Sequence, residues 1–232
     1  GRKTDGSPLV DSRFFFNGEG DSVSVRVGRG TSFEAREAIG TLNRMNHVHL
    51  VIGEPGREFN SLWNLLLPSV SDSISPTIQS VELHSEEWTQ FETDRGADRI
   101  TVDGRVRIVV DAYDRMDGNP ERRRLGLYKI GYRVLDSTGR QIGGQNEDHS
   151  TIVFSELPDP DLARYIYAVG SRSGATGPTV FRYIATNRLK SGKVAEGFIN
   201  FDKLEPGDYD IEVFVEDKFK NRAVSRVSVS SR

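Results

Sequence analysis

Cysteine is absent from the 232 residues. That excludes disulfides and thiolate metal sites, and it suits either a cytosolic protein or a bacterial exported one. Long apolar runs are absent as well. Mean hydropathy is −0.49, and no segment has the length and apolar character of a membrane-spanning helix, so no membrane span is expected. No block of basic residues stands out. Net charge is −3, and the densest positive stretch, Arg122-Arg123-Arg124, reads as a solvated loop. Nucleic acid is therefore disfavoured as a partner. Neither an internal repeat nor a low-complexity tract is present. Gly1 is not a methionine and no signal peptide follows it, so the sequence is expected to start inside a longer precursor.

What is present suits one large or two modest domains: 36% of the residues are hydrophobic, enough for ordinary globular cores. The organisation changes between Pro68 and Pro76, a serine-rich stretch with a proline near each end. Proline donates nothing to a ladder and disfavours helix before it, so a linker is predicted there. Before it, Ser22–Val27 alternates as a half-buried strand. Residues 33–40 have the composition of a short helical turn, and 60–66 read as a short irregular or helical piece. After it, strands are predicted at 106–113, 128–134, 151–154, 180–186, 209–216 and 224–229, with one short helix inserted at 161–168. In 209–216, Tyr209, Ile211, Val213 and Val215 are expected to face in and Asp210, Glu212 and Glu216 out. Short strands separated by Gly, Asp and Asn turns indicate a two-sheet sandwich.

Two of only four histidines, His47 and His49, lie in the run Asn46-His47-Val48-His49-Leu50-Val51-Ile52-Gly53. On a strand both imidazoles point to one face, about 7 Å apart. Gly40-Thr41-Leu42-Asn43, that run and then Asn60-Ser61-Leu62 together resemble the C-terminal part of the LytM/lysostaphin-like M23 zinc metallopeptidase domain, over roughly residues 22 to 67. The resemblance implies that His49 is a zinc ligand. It implies that His47 is a catalytic histidine that orients water or stabilises the oxyanion. It also implies a substrate, peptidoglycan cross-links or other extracellular peptides, and an extracellular, periplasmic or cell-envelope location.

The sequence departs from the family in three ways. The His-x-x-x-Asp motif that supplies the other two zinc ligands does not occur in this sequence, and neither does the Tyr-x-His segment that carries the second catalytic-side histidine. Ser61 stands where proline is usual. The remaining histidines, His84 and His149, have no substituting spacing. Either the missing ligands lie ahead of Gly1 or the site has decayed, and the intact His-x-His pair favours the first. One imidazole does not make a catalytic zinc site, which needs three protein ligands. The chain as given is therefore expected to be inactive. A non-catalytic envelope scaffold that recruits or regulates another hydrolase is the competing expectation.

Weaker signals read blandly. Asp111, Asp114, Asp117 and Asn119 resemble a calcium loop but lack its terminal bidentate glutamate, so a solvated turn is predicted. Gly170–Gly174 reads as a loop, not a nucleophile elbow. Trp88 beside Glu86 and Glu87 reads as an exposed loop aromatic. Asp217-Lys218-Phe219-Lys220-Asn221 resembles the Asp-x-x-Gly-Asn turn of bacterial Ig-like domains, with lysine at the glycine position. The expectation as a whole is an all-β chain. Residues 1–70 form a partial antiparallel peptidase-like domain, and 76–232 an Ig-like or fibronectin-III-like sandwich that docks on the catalytic domain or binds the cell wall or an envelope protein.

Overall fold

The computed structural model describes residues 14–17, 24–28, 30–37, 50, 52–54, 57–64, 70–142, 149–156, 158–172, 178–190 and 192–232. The chain divides into two compact units, Gly1–Leu50 and Val51–Arg232. In the first, β1 (Phe14–Asn17) and β2 (Ser24–Val27) pair antiparallel, with Phe14 opposite Val27. The predicted helical turn survives as a single turn in which Glu37 N donates to Glu34 O at 3.0 Å.

The second unit opens with a hairpin, β3 (Ile52–Glu54) and β4 (Arg57–Phe59), and a one-turn helix, α1 (Ser61–Asn64). Then come β5 (Thr77–His84), β6 (Gln90–Phe91), β7 (Ile100–Val102), β8 (Arg105–Tyr113), β9 (Lys129–Asp136), β10 (Gln141–Ile142) and β11 (Ser150–Val153). After the short helix α2 (Ala163–Ile166) come β12 (Arg182–Ile184), β13 (Arg188–Lys190), β14 (Lys193–Ala195), β15 (Ile199–Asn200), β16 (Gly207–Glu216) and β17 (Arg222–Ser231). One sheet runs β14-β13-β11-β9-β16-β17-β7, with β10 on β9. The other runs β12-β8-β5-β6, with β15 on β8. The class is all-β, as expected. No helix among the described residues is long and apolar enough to cross a membrane.

The two sheets bury one common core. Val106, Ile108 and Val110 come from β8, Ile130 and Val134 from β9, and Tyr209, Ile211, Val213 and Val215 from β16. Every second residue of each strand points inward, the period-2 pattern read from the sequence. Tyr183 of β12 is fully buried among Phe154, Tyr167 and Phe181, with ring centroids 5.2–6.2 Å from its own. Its hydroxyl accepts from Leu127 N at 3.1 Å, so the polar tip is satisfied.

Three features differ from expectation. The division between units falls at Leu50, ahead of the serine-rich stretch, because the hairpin's end is bonded to the second unit. Asn60 N donates to Ser155 O at 2.8 Å, and Phe59 bridges Glu156. The predicted strand at 180–186 breaks after Ile184, where the chain crosses from one sheet to the other. Buried Asn187 anchors that corner, donating from Nδ2 to Tyr165 O at 2.7 Å and accepting from Gly197 N at 3.0 Å. Glu212 lies on the expected face of β16 yet is buried. Its register partners are Arg133 and Arg226, whose guanidiniums lie 2.6 and 2.8 Å from its carboxylate. Burial alone would raise its pKa, but the bonds from Arg226 and Arg133 outweigh it and hold the carboxyl below the usual range.

Candidate functional site

His47 and His49 lie outside the described residues. The tripeptide Asn60-Ser61-Leu62 lies within them. Asn60 caps α1: Leu62 N donates to its Oδ1 at 3.0 Å, while its Nδ2 donates to Phe154 O at 3.2 Å. Ser61 thus occupies the first helical position, where proline fits well but is not required. The Asn-Ser-Leu tripeptide therefore starts a helix and ties it to the end of β11.

The other two histidines lie apart, His84 on β5 and His149 just before β11 of the other sheet. His84, on β5, is 3.1 Å from Glu82 Oε2 through Nε2, and Glu82 also pairs with Arg182. His149 precedes β11, with Nδ1 3.3 Å from Gln141 Nε2, beside a cavity of about 420 Å³ that Tyr132, Arg188 and Phe198 also line. Neither histidine belongs to a cluster of metal-ligating groups among the described residues. Zinc asks for three protein ligands. Among the described residues no group of three metal-ligating side chains includes a histidine.

Trp88 is 45% exposed at the tip of the β5–β6 hairpin, in a left-handed conformation (φ 68°). One side of its ring meets the Arg107 guanidinium, 4.8 Å from the centroid, and Arg107 in turn stacks at 4.2 Å on Phe198. Trp88 also borders an open, mostly apolar recess of about 480 Å³ with Tyr167, Val169 and Ile184.

Among the described residues, the metal-competent groups that come together lie elsewhere. One carboxylate oxygen each from Asp72, Asp114 and Asp217 falls within 4.8 Å of the other two. Asp114 follows β8, its backbone fixed by reciprocal bonds with Leu125 at 2.9 and 2.8 Å. Asp217 follows β16 and closes the turn into β17, accepting from Asn221 N at 2.8 Å and Nδ2 at 2.7 Å. Asp72 belongs to the segment that leads into β5. Its Oδ1 accepts from Ile74 N at 3.0 Å and Asp117 N at 3.2 Å, and its carbonyl accepts from Asn221 Nδ2 at 3.0 Å. Asp117 fastens the same segment by accepting from Ser73 N and Oγ at 2.9 and 3.0 Å.

Burial is severe here: Asp217 is 2% and Asp114 7% exposed. Asp114 Oδ1 accepts no hydrogen bond. Desolvation pushes the Asp114 pKa up to about 7, and the charges of Asp217 and Asp72 push the same way against one backbone hydrogen bond. Burial likewise raises Asp217, against the bonds from Asn221.

The run at 111–119, expected to be a solvated turn, therefore has Asp114 buried. Asp114 is joined not by Asp111 or Asp117 but by two aspartates far away in sequence. Two sequence signals point toward this site, the calcium-loop-like spacing around Asp114 and the Asp217–Asn221 turn, and neither includes Asp72. Compared with family models, with curated proteins and with solved structures, the chain matches none.

Proposed function

We propose that the chain is part of an M23-like zinc metallopeptidase protein acting on peptidoglycan cross-links or other extracellular peptides. On this reading residues 76–232 are its non-catalytic Ig-like or fibronectin-III-like accessory module, working in the cell envelope. The observation that carries the reading is the sequence pattern itself, His47-x-His49 on an apolar run followed by Asn60-Ser61-Leu62. The capping bonds of Asn60 support it by giving that tripeptide a definite structural task. His49 would hold zinc and His47 would serve the reaction, with the remaining ligands supplied by sequence that these 232 residues do not contain.

The test is zinc content and affinity of the purified chain beside a version extended upstream, each with and without His49→Ala. The expected result is one zinc per extended chain, lost on substitution, and weak binding by the chain alone. Zinc retained by the extended His49→Ala protein would refute the assignment.

A second reading, an envelope scaffold that recruits another hydrolase, is favoured by Trp88 and the apolar recess beside it, which offer a contact surface. Quenching or a blue shift of tryptophan fluorescence on adding muropeptides or a hydrolase, absent in Trp88→Ala, would support it.

A further inference from the structure

We propose that Asp72, Asp114 and Asp217 bind a calcium-class cation that fastens the segment leading into β5 to the body of the second unit. Two independent observations carry this. The first is convergence: three carboxylates from three distant segments place oxygens within 4.8 Å of one another. Oxygens bound to one calcium at about 2.4 Å lie no more than about 4.8 Å apart, and the three carboxylates meet that condition. The second is the state of Asp114. The residue is only 7% exposed, and its carboxylate is aimed into the cluster with Oδ1 accepting from nothing. A buried acceptor without a donor is costly, and a cation is the ligand that satisfies a carboxylate lone pair and offsets two like-charged neighbours together.

The chemistry of the donors selects the ion. All three are hard oxygen ligands, with no imidazole or thiolate, which argues against zinc and other soft-ligand metals. Two of the three are almost fully removed from solvent. Magnesium sheds water reluctantly and demands octahedral geometry at about 2.1 Å, whereas calcium accepts irregular sets of six to eight oxygens, with carbonyls and water filling the remainder.

The bonding around Asp72 gives the ion its structural effect. Residues 72–74 are latched through Asp117 and Asn221, both a few residues from the other two ligands. An ion bridging Asp72 to Asp114 and Asp217 locks the same segment from a third direction.

The experiment is calorimetric titration of the EDTA-treated full chain with calcium chloride and, separately, magnesium chloride, on the unaltered protein, Asp72→Asn and Asp217→Asn. Hydrogen exchange at Ser73 and Ile74 is followed with and without calcium. Asp217→Asn alters a turn cap and risks misfolding. Asp72→Asn keeps an acceptor for Ile74 and Asp117, so it preserves the fold, which circular dichroism verifies. One calcium per chain is expected, with magnesium at least tenfold weaker. Affinity should fall at least tenfold in Asp72→Asn, and exchange at Ser73 and Ile74 should slow at least tenfold with calcium. No binding at millimolar calcium, or undiminished binding in a folded Asp72→Asn protein, overturns the site. Binding that leaves exchange at Ser73 and Ile74 unchanged overturns the fastening role.

Discussion

Replacing Asp114 by asparagine should stabilise the metal-free protein above neutral pH and leave it unchanged near pH 4. The side chain keeps its size, and the amide can place its oxygen where the carboxylate accepts the Arg115 backbone bond and its NH2 at the Oδ1 position, which accepts nothing. What it loses is the obligation to carry charge in a desolvated place beside Asp217 and Asp72. The sign comes from linkage. Asp114 titrates at about 7 in the folded chain against 3.8 as an ordinary side chain. Between those values the unfolded state has released its proton and the folded state still holds it. Stability therefore falls as pH rises from about 4 to 7, then levels off. A shift of about 3 units corresponds to about 4 kcal/mol, and local relaxation reduces the observable gain to about 2–4 kcal/mol.

The assay is urea unfolding of both proteins in EDTA from pH 4 to 8. The quantity read is the difference between the two stabilities, in which the carboxylates remote from Asp114 cancel. A difference that grows across this window and plateaus above pH 7 is expected. A constant difference, or a variant less stable than the parent at pH 8, would refute the reasoning.

Other substitutions test the frame around the site. Lys220 holds a left-handed conformation, φ 74°, at the position where the Asp-x-x-Gly-Asn pattern carries glycine. Lys220→Gly relieves strain of about 1–2 kcal/mol and loses part of it to unfolded-state entropy, so a net gain of about 0.5–1 kcal/mol is expected in denaturant midpoint. Tyr183→Phe strands the buried Leu127 N–H and should cost about 1–3 kcal/mol with an unchanged denaturant slope. Gly131→Ala drives a Cβ into His149 O and the Phe214 ring. Overpacking of about 1–3 kcal/mol should lower Tm by about 2–12 °C, and Phe214→Leu should recover part of it.

The sequence pattern was most legible where one strand owns its own pattern. The alternation of Tyr209 through Val215 put the buried face of β16 in view directly, and the all-β class followed from several such runs. It failed where a residue's fate is decided across the sheet. Glu212 looks solvent-facing until Arg133 and Arg226 are set opposite it by register. Val180–Thr186 looks like one strand because the corner at Ala185–Asn187 is stabilised by Asn187 reaching Tyr165 and Gly197, contacts no local window contains. Arg107 reads as a charged residue on a half-exposed strand, yet it is buried between Trp88 and Phe198. The aspartate cluster combines both cases. Asp114 and Asp217 each sit in a recognisable turn-rich segment, but neither segment announces the other, and Asp72 lies in a stretch that reads only as linker.

Strand register explains why those three meet. Thr77 at the start of β5 pairs with Tyr113 at the end of β8, so the residues just before one strand and just after the other share one end of their sheet. The pairing shifts by one position between Ile78 and Ser80, which leaves Gln79 as an extra residue in β5. In the register that holds from Ser80 to His84, Thr77 would stand opposite Asp114. The bulge sets Thr77 opposite Tyr113, where the pairing with β5 ends, and Asp114 bridges Leu125 on the β12 edge of β8, the edge on which Ala112 N meets Phe181 O. Bulges commonly re-aim a side chain at a functional site. Here the ladder of β5 on β8 ends at Tyr113, and Asp114 just beyond it meets Asp217, which follows the Glu216–Arg222 pair of the β16–β17 hairpin in the other sheet. The site is thus a product of where ladders stop, and ladder ends are set by pairings between segments far apart in the chain.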